Sequence, residues 1–97
     1  MSVPEEVRRL ADLLERRYAV SVLYASHLGC TRFTEFRRAL GEVSPRTLAQ
    51  RLLELEGAGL LRREVHDTRP PVVRYLLTEE GKQLRALVEA LGALGGR

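Results

Sequence analysis

The sequence predicts a mainly α-helical fold of the α+β class, in which helices are combined with a single two-stranded β-hairpin. Apolar residues recur at helical spacing through most of residues 5–56 and again after residue 78. Between these regions, segments 60–66 and 72–77 have the composition of short strands and flank the turn-forming sequence Asp-Thr-Arg-Pro-Pro. A chain of 97 residues accommodates one hydrophobic core, so we expect residues 1–97 to form a single domain.

The first two predicted helices cover residues 5–16 and 18–28. The first carries apolar residues at positions i, i+3, i+4 and i+7, namely Val7, Leu10, Ala11 and Leu14. The second is apolar on most of its sides, which is typical of a central helix buried in the core. We expect it to end at Gly29.

Two further helices are predicted within residues 34–58. Thr34 is expected to cap a short third helix that ends at Gly41. Ser44 followed by Pro45 predicts the start of a fourth helix, because proline at the first helical position lacks only an amide that would have no helical partner. Helical spacing in the fourth helix separates an inner apolar stripe of Leu48, Leu52 and Leu55 from an outer polar stripe of Thr47, Gln50, Arg51 and Glu54.

The last predicted helix covers residues 78–95, starts at a Thr78 cap and carries a continuous apolar stripe. In so small a domain this stripe has little left to cover, and an exposed apolar patch marks an interface. We therefore expect the helices over 5–16 and 78–95 to form a homodimer. The candidate interface residues are Val7, Leu10, Leu14, Leu84, Leu87, Leu91 and Leu94.

The positive charge of the chain is concentrated in its middle. The net charge is +3, and residues 32–74 carry the whole excess, with nine arginines against six acidic residues. A basic segment between neutral ends favours a surface that faces a polyanion. Fifteen of the sixteen basic residues are arginine, however, and genome composition alone also produces such a bias.

The third and fourth helices, joined by a tight turn, predict a helix-turn-helix over residues 34–58, and residues 60–77 follow it as a wing. A helix fits the DNA major groove, where its outward polar side chains reach the base edges. This order predicts a homodimeric transcription regulator that binds duplex DNA, although a polar stripe on a helix is also typical of a merely solvated face. The candidate DNA-binding residues are Ser44, Arg46, Thr47, Gln50, Arg51, His66 and Arg69.

Residues 17–91 also resemble the HxlR-type, MarR-like winged-helix regulators of bacteria and archaea. Four motifs carry the resemblance in order: RFTEF at 32–36, VSPRTLAQRLLELE at 43–56, GLLRREV at 59–65 and PPVVRYLLTEEG at 70–81. The resemblance implies that segment 44–55 is the recognition helix, that segment 65–72 is the wing, and that segment 78–94 helps to form the dimer.

Two places depart from the pattern of that family. Its members usually carry Gly-Lys-Trp before the buried second helix, where this chain has Arg16, Arg17 and Tyr18. Redox-sensing members carry Cys-Pro near the N-terminus, where this chain has Val3 and Pro4. We therefore expect the usual thiol sensor to be missing.

The sequence offers no candidate enzyme site, cofactor site or metal site. The one cysteine, Cys30, is expected to be a buried, inert thiol, with Arg32 nearby leaving a reactive thiol as the alternative. His27 and His66 lie far apart and have no cysteine cluster to complete a metal site. Ser44 is interpreted as a helix cap, not a nucleophile, and no glycine-rich phosphate loop follows a strand.

The N-terminal segment lacks the apolar stretch of a signal peptide, and no apolar run reaches the roughly 18 residues that span a membrane. A cytoplasmic protein with no membrane contact is the expectation, and the operator and any small-molecule effector are left open. The alternative function is a winged helix that serves as a protein–protein interaction scaffold without DNA binding. Salt-sensitive retention on a DNA column separates the two.

Overall fold

The computed structural model describes residues 1–96 and confirms the predicted mainly helical fold with one hairpin. Arg97, which the expected domain includes, lies outside the described residues. The described helices and strands follow the order α1 (Glu5–Leu14), α2 (Ala19–His27), α3 (Phe33–Leu40), α4 (Pro45–Gly57), β1 (Leu61–His66), β2 (Val72–Leu77), α5 (Glu79–Lys82) and α6 (Arg85–Gly95).

The hydrophobic core is built around α2, the central helix that the sequence predicts. Its buried residues are Ala19, Val22, Leu23, Ala25 and Ser26. Phe36 of α3 and the inner leucine stripe of α4 pack against it with no exposed surface. Complete burial of a leucine side chain stabilises a protein by about 1.5–3 kcal/mol, so three such leucines fix the rotation of α4 about its own axis.

The start of α3 differs from the expectation, because Thr34 is not its cap. The helix begins at Phe33, and Arg32 occupies the N-cap position. The Glu35 carboxylate Oε1 accepts hydrogen bonds from the backbone N–H groups of Thr31 at 3.0 Å and Arg32 at 2.9 Å. Those two hydrogen bonds lower the pKa of Glu35. Because the glutamate satisfies these free amides, the helix starts earlier and places Thr34 inside its first turn.

The start of α4 is the one that the sequence predicts. The Ser44 Oγ accepts a hydrogen bond from the N–H of Thr47 at 3.1 Å, and its hydroxyl donates to the Thr47 Oγ1 at 2.9 Å. Pro45 is the first helical residue. After the helix, Gly59 has a φ of 79°, a left-handed conformation that favours glycine and turns the chain into β1.

The second strand of the hairpin forms hydrogen bonds with the segment that precedes α3. β1 and β2 pair antiparallel along their whole lengths, with Leu61 opposite Leu77. The N–H of Tyr75 donates a hydrogen bond to the carbonyl oxygen of Thr31 at 2.7 Å, and Arg74 Nη1 donates to the Thr31 Oγ1 at 3.0 Å. The segment that leads into α3 is therefore bound directly to the hairpin.

The tightest contact at any described glycine lies between α5 and Leu60, the residue that precedes β1. Thr78 caps α5 as predicted, since its Oγ1 accepts a hydrogen bond from the N–H of Gly81 at 3.0 Å. The N–H of Thr78 in turn donates to the carbonyl oxygen of Leu60 at 3.1 Å. A Cβ atom on Gly81 would overlap that same carbonyl oxygen, which explains why glycine ends the Thr-Glu-Glu-Gly sequence.

The single helix expected over residues 78–95 is two helices. Between α5 and α6, the N–H groups of Gln83 and Leu84 donate to carbonyl oxygens three residues earlier instead of four. This tighter turn interrupts the α-helical hydrogen bonding. Leu84 packs against the core, whereas Leu87, Leu91 and Leu94 are exposed on α6.

We expect Gly81→Ala to destabilise the protein, because the new methyl group must displace the Leu60 backbone. Overpacking of this kind costs about 1–3 kcal/mol, and thermal unfolding monitored by circular dichroism measures the loss. Gly57→Ala is the matched control, since Gly57 is helical and a Cβ there meets nothing within 4 Å. The control should unfold at the wild-type temperature or slightly above it. Equal unfolding temperatures for both variants would contradict the packing argument.

Candidate nucleic-acid interface

The N-terminal half of α4 presents polar side chains on the face opposite its buried leucines. Arg46 and Gln50 are exposed, and Thr47 is half-buried. Within residues 1–96 Arg46 takes part in no salt bridge. Ser44 and Thr47 are engaged with each other in the cap. Outside the cap, the exposed polar side chains of this segment are therefore those of Arg46 and Gln50, and Gln50 also donates a hydrogen bond to Glu54.

Arg51 does not point away from the body of the protein, contrary to the expectation from helical spacing. Its side chain is only 18% exposed. Its Nε donates a hydrogen bond to the carbonyl oxygen of Arg17 at 2.8 Å, and its Nη1 donates to Glu54 Oε1 at 3.1 Å. The residues that connect α1 to α2 therefore cover this edge of the outer stripe, and Arg51 joins α4 to them.

The Glu54 carboxylate is the centre of this contact and is 15% exposed. It accepts hydrogen bonds from Arg51, from Arg16 Nη1 at 2.7 Å and from Gln50 Nε2 at 3.2 Å. Desolvation of the carboxylate raises its pKa, but the Gln50 hydrogen bond and the positive charges of Arg16 and Arg51 outweigh that effect and lower it overall. Glu54 is therefore ionised at neutral pH.

The two candidates on the hairpin lie in different surroundings. Arg69 is exposed in the loop between the strands, where the Thr68 hydroxyl donates a hydrogen bond to the carbonyl oxygen of Pro70 at 2.8 Å. His66 ends β1, and its Nε2 lies 3.5 Å from the Glu64 carboxylate. The hairpin thus places a cationic side chain at its tip and an imidazole at the end of its first strand.

The structure adds two arginines that the sequence reasoning did not single out. Arg37 and Arg38 are exposed on the last turn of α3, and with Thr34 and Gly41 they line a surface cleft of about 330 Å³. Neither arginine forms a salt bridge within the described residues. The concentration of positive charge in residues 32–74 could have pointed to this region, but it does not show which arginines are exposed and form no salt bridge.

The candidate dimer residues divide into two groups. Leu10, Leu14 and Leu84 are partly buried and pack against the core of the same chain. The other four are exposed to solvent: Val7, Leu87, Leu91 and Leu94. Leu28 at the end of α2 is also exposed and, with Tyr24 and Val88, lines a cleft of about 370 Å³ between α2 and α6. Part of the exposed apolar surface therefore lies on α6 and the adjoining end of α2, while Leu53 of α4 and Val65 of β1 are exposed elsewhere.

Cys30 is half-buried and packs against the core. Desolvation, followed by the negative charge of Glu35, raises the pKa of its thiol. His27 uses its Nδ1 in a 2.9 Å hydrogen bond with the Leu23 carbonyl oxygen. Within residues 1–96, no three His, Cys, Asp or Glu side chains cluster as metal ligands, and none of the helices has the length and apolar character needed to cross a membrane.

Known proteins resemble this chain in sequence and in fold. The model of the HxlR-like helix-turn-helix family matches residues 13–97. An HTH-type transcriptional regulator of Methanothermobacter thermautotrophicus is 43% identical over 63 residues, which are 65% of this chain and 48% of that protein. The HTH-type transcriptional regulator YtfH of Escherichia coli is 43% identical over 84 residues, covering 87% of this chain and 67% of YtfH.

Among solved structures, the redox regulator HypR in its oxidised form superposes with a TM-score of 0.86 at 34% identity. The superposition covers 94% of each chain. The relative from Methanothermobacter is about twice as long as the segment that it shares with this chain. The match of the family model over residues 13–97 and the likeness to these regulators agree with the four motifs. The chain belongs to the HxlR-like helix-turn-helix family.

Proposed function

We propose that the chain regulates transcription by binding duplex DNA as a homodimer, with α4 in the major groove and the β1–β2 hairpin as the wing. The observation that carries the proposal is the N-terminal half of α4, where Arg46 and Gln50 are exposed on a helix whose opposite face is anchored in the core. Base readout requires donors and acceptors held on such a rigid helix. Related proteins named as HTH-type transcriptional regulators support the proposal.

Different side chains would take different roles at the duplex. Arg46 and Gln50, with Thr47 beside them, would contact base edges, where Arg pairs with guanine and Gln with adenine. Arg51 would position α4 through its hydrogen bond to Arg17. Backbone amides at the Ser44 cap would face a phosphate. The remaining phosphate contacts would come from Arg37, Arg38, His66 and Arg69.

Homodimerisation and a cytoplasmic location are parts of the same proposal. The exposed leucines of α6 and the exposed Val7 of α1 form apolar surface that a second copy of the chain would cover. A regulator that binds DNA would act in the cytoplasm, where bacterial and archaeal DNA is located, and would need no membrane contact. No separate observation favours the alternative, a protein–protein interaction scaffold. Selection from a pool of random duplexes distinguishes it from DNA binding.

We expect wild-type protein to enrich one site from a pool of random duplexes and to bind it in a strongly salt-dependent manner. Affinity should fall on the order of a hundredfold between about 50 and 200 mM salt if each protomer neutralises a few phosphates. Gln50→Ala should lose about 1–3 kcal/mol of discrimination at one base pair. Arg69→Ala should weaken all duplexes alike and reduce the salt slope by about one unit.

These two variants control for each other, because both residues are exposed and only Gln50 lies on α4. Fluorescence anisotropy with the enriched site and its single-base variants gives both affinity and preference. If wild-type protein enriches no duplex, the DNA-binding proposal fails and the scaffold alternative replaces it. If Gln50→Ala keeps the wild-type preference at every position, α4 is not the reading helix.

We expect Leu91→Asp to convert the protein to monomers, because a carboxylate on the exposed α6 surface would be buried at the proposed interface. Sedimentation velocity at micromolar concentration measures the change. Leu53→Asp is the matched control, since Leu53 is 60% exposed on α4, outside the α6 surface, and should leave the dimer intact. A wild-type protein that sediments as a monomer would exclude this interface.

We expect Cys30 not to control DNA binding, although the similar protein HypR is named a redox regulator. The raised pKa of Cys30 keeps the thiol protonated at neutral pH, and the thiolate is the species that reacts. Affinity should therefore be the same for wild type and Cys30→Ser, with or without peroxide. A peroxide-induced loss of affinity that disappears in Cys30→Ser would make the chain a one-cysteine redox sensor.

A further inference from the structure

The Glu54 carboxylate connects the outer face of α4 to the segment that joins α1 to α2. Its Oε2 accepts hydrogen bonds from Gln50 and from Arg16, and its Oε1 accepts one from Arg51. Arg16 lies 38 positions earlier in the chain, just after α1. One carboxylate therefore contacts a side chain proposed to read bases and a side chain that belongs to another part of the fold.

The segment at Arg16 to Tyr18, called here the α1–α2 corner, contains a left-handed residue and a stacked pair of side chains. Tyr18 has a φ of 73°, and the Arg17 guanidinium carbon lies 5.0 Å from the centre of its ring, within the range of a cation–π contact. The carbonyl oxygen of Arg17 accepts the hydrogen bond from Arg51 Nε. The corner thus contacts α4 twice, once through Glu54 and once through Arg51.

These contacts constrain the carboxamide of Gln50. Its Nε2 donates one hydrogen to Glu54 at 3.2 Å, which leaves the second Nε2 hydrogen and the Oε1 for a base edge. A carboxamide without that acceptor turns about its terminal torsion and exchanges its donor and acceptor positions. The ionised Glu54 prevents this exchange, because a carboxylate accepts hydrogen bonds and donates none.

We propose that Glu54 and Arg16 are positioning residues that orient Gln50, so that the α1–α2 corner determines base preference without touching DNA. The inference rests on the proposed function of α4. Arg16 holds the Glu54 carboxylate at 2.7 Å and is the only corner side chain that bonds to it within the described residues. Loss of Arg16 would free one side of the carboxylate and, through it, the Gln50 carboxamide.

The test compares Arg16→Ala with Arg9→Ala. Each variant removes one arginine and one ion pair, since Arg9 pairs with Glu5 on the exposed face of α1 at 3.5 Å. Arg16→Ala should reduce the preference for the correct base pair about fivefold at the position that Gln50→Ala also affects. A fivefold loss is part of the discrimination that one bidentate contact supplies. Arg9→Ala should keep the wild-type preference, and Arg16→Lys, which retains the charge, should recover most of it.

Salt dependence separates positioning from direct contact. If Arg16 touched a phosphate, Arg16→Ala would weaken every duplex and lower the salt slope by about one unit. A positioning residue leaves the slope and the affinity for non-specific duplexes unchanged. In the double variant Arg16→Ala/Gln50→Ala, preference should equal that of Gln50→Ala alone, because no carboxamide remains to be oriented.

A measurement on the free protein gives a second readout. The side-chain amide resonances of Gln50 in nitrogen-15 spectra should move toward the values of an unbonded glutamine in Arg16→Ala and Glu54→Gln, and should stay in place in Arg9→Ala. Wild-type preference in Arg16→Ala, or unmoved Gln50 resonances in Glu54→Gln, would overturn the inference while the proposed function stands. Wild-type protein that selects no duplex would overturn the proposed function and this inference together.

Discussion

The burial of one face of α4 is the constraint on which the surface of this protein depends. Leu48, Leu52 and Leu55 have no exposed surface and pack with α2 and α3 in a single core. A helix held by three leucines at this spacing cannot rotate without exposing them, at a cost of about 1.5–3 kcal/mol for each. The direction of the Cα–Cβ bond at every other α4 position follows, because successive residues turn by a fixed angle around the helix.

A second constraint divides the polar face that this packing creates. The α1–α2 corner covers one edge, so that Arg51 and Glu54 are nearly buried, while Arg46 and Gln50 on the same helix stay exposed. Chemically similar arginines consequently have different uses. Arg51 makes two hydrogen bonds within the protein, whereas Arg46 keeps its guanidinium free of salt bridges in the described residues. Under the proposed function, Arg51 positions the DNA-binding surface of α4, and Arg46 is part of that surface.

The sequence predicted the features that depend on neighbours in the chain. The Ser44 cap, the α4 stripe and the hairpin follow from local spacing and backbone chemistry, and the structure agrees with each. The error at Thr34 had a local cause, because Glu35 caps the helix from its third position although Arg32 at the N-cap is not one of the usual capping residues. Helical spacing places Arg51 about 60° from the middle of the inner leucine stripe, at its edge, but its acceptor on Arg17 lies 34 positions away and could not be predicted from the sequence. The break between α5 and α6 could not be predicted either, because it lies next to a contact between Gly81 and Leu60, which are far apart in the sequence.

Arg16 illustrates how a departure from a family pattern acquires a physical meaning. The resemblance to HxlR-type regulators leads one to expect glycine at this place, and a glycine has no side chain with which to reach Glu54. The arginine adds a charged donor to a carboxylate that already accepts hydrogen bonds from Gln50 and Arg51. It follows α1, whose exposed Val7 belongs to the proposed dimer surface. Under the proposed function, this departure replaces a residue that could make no such contact with one that holds the hydrogen-bond acceptor of Gln50.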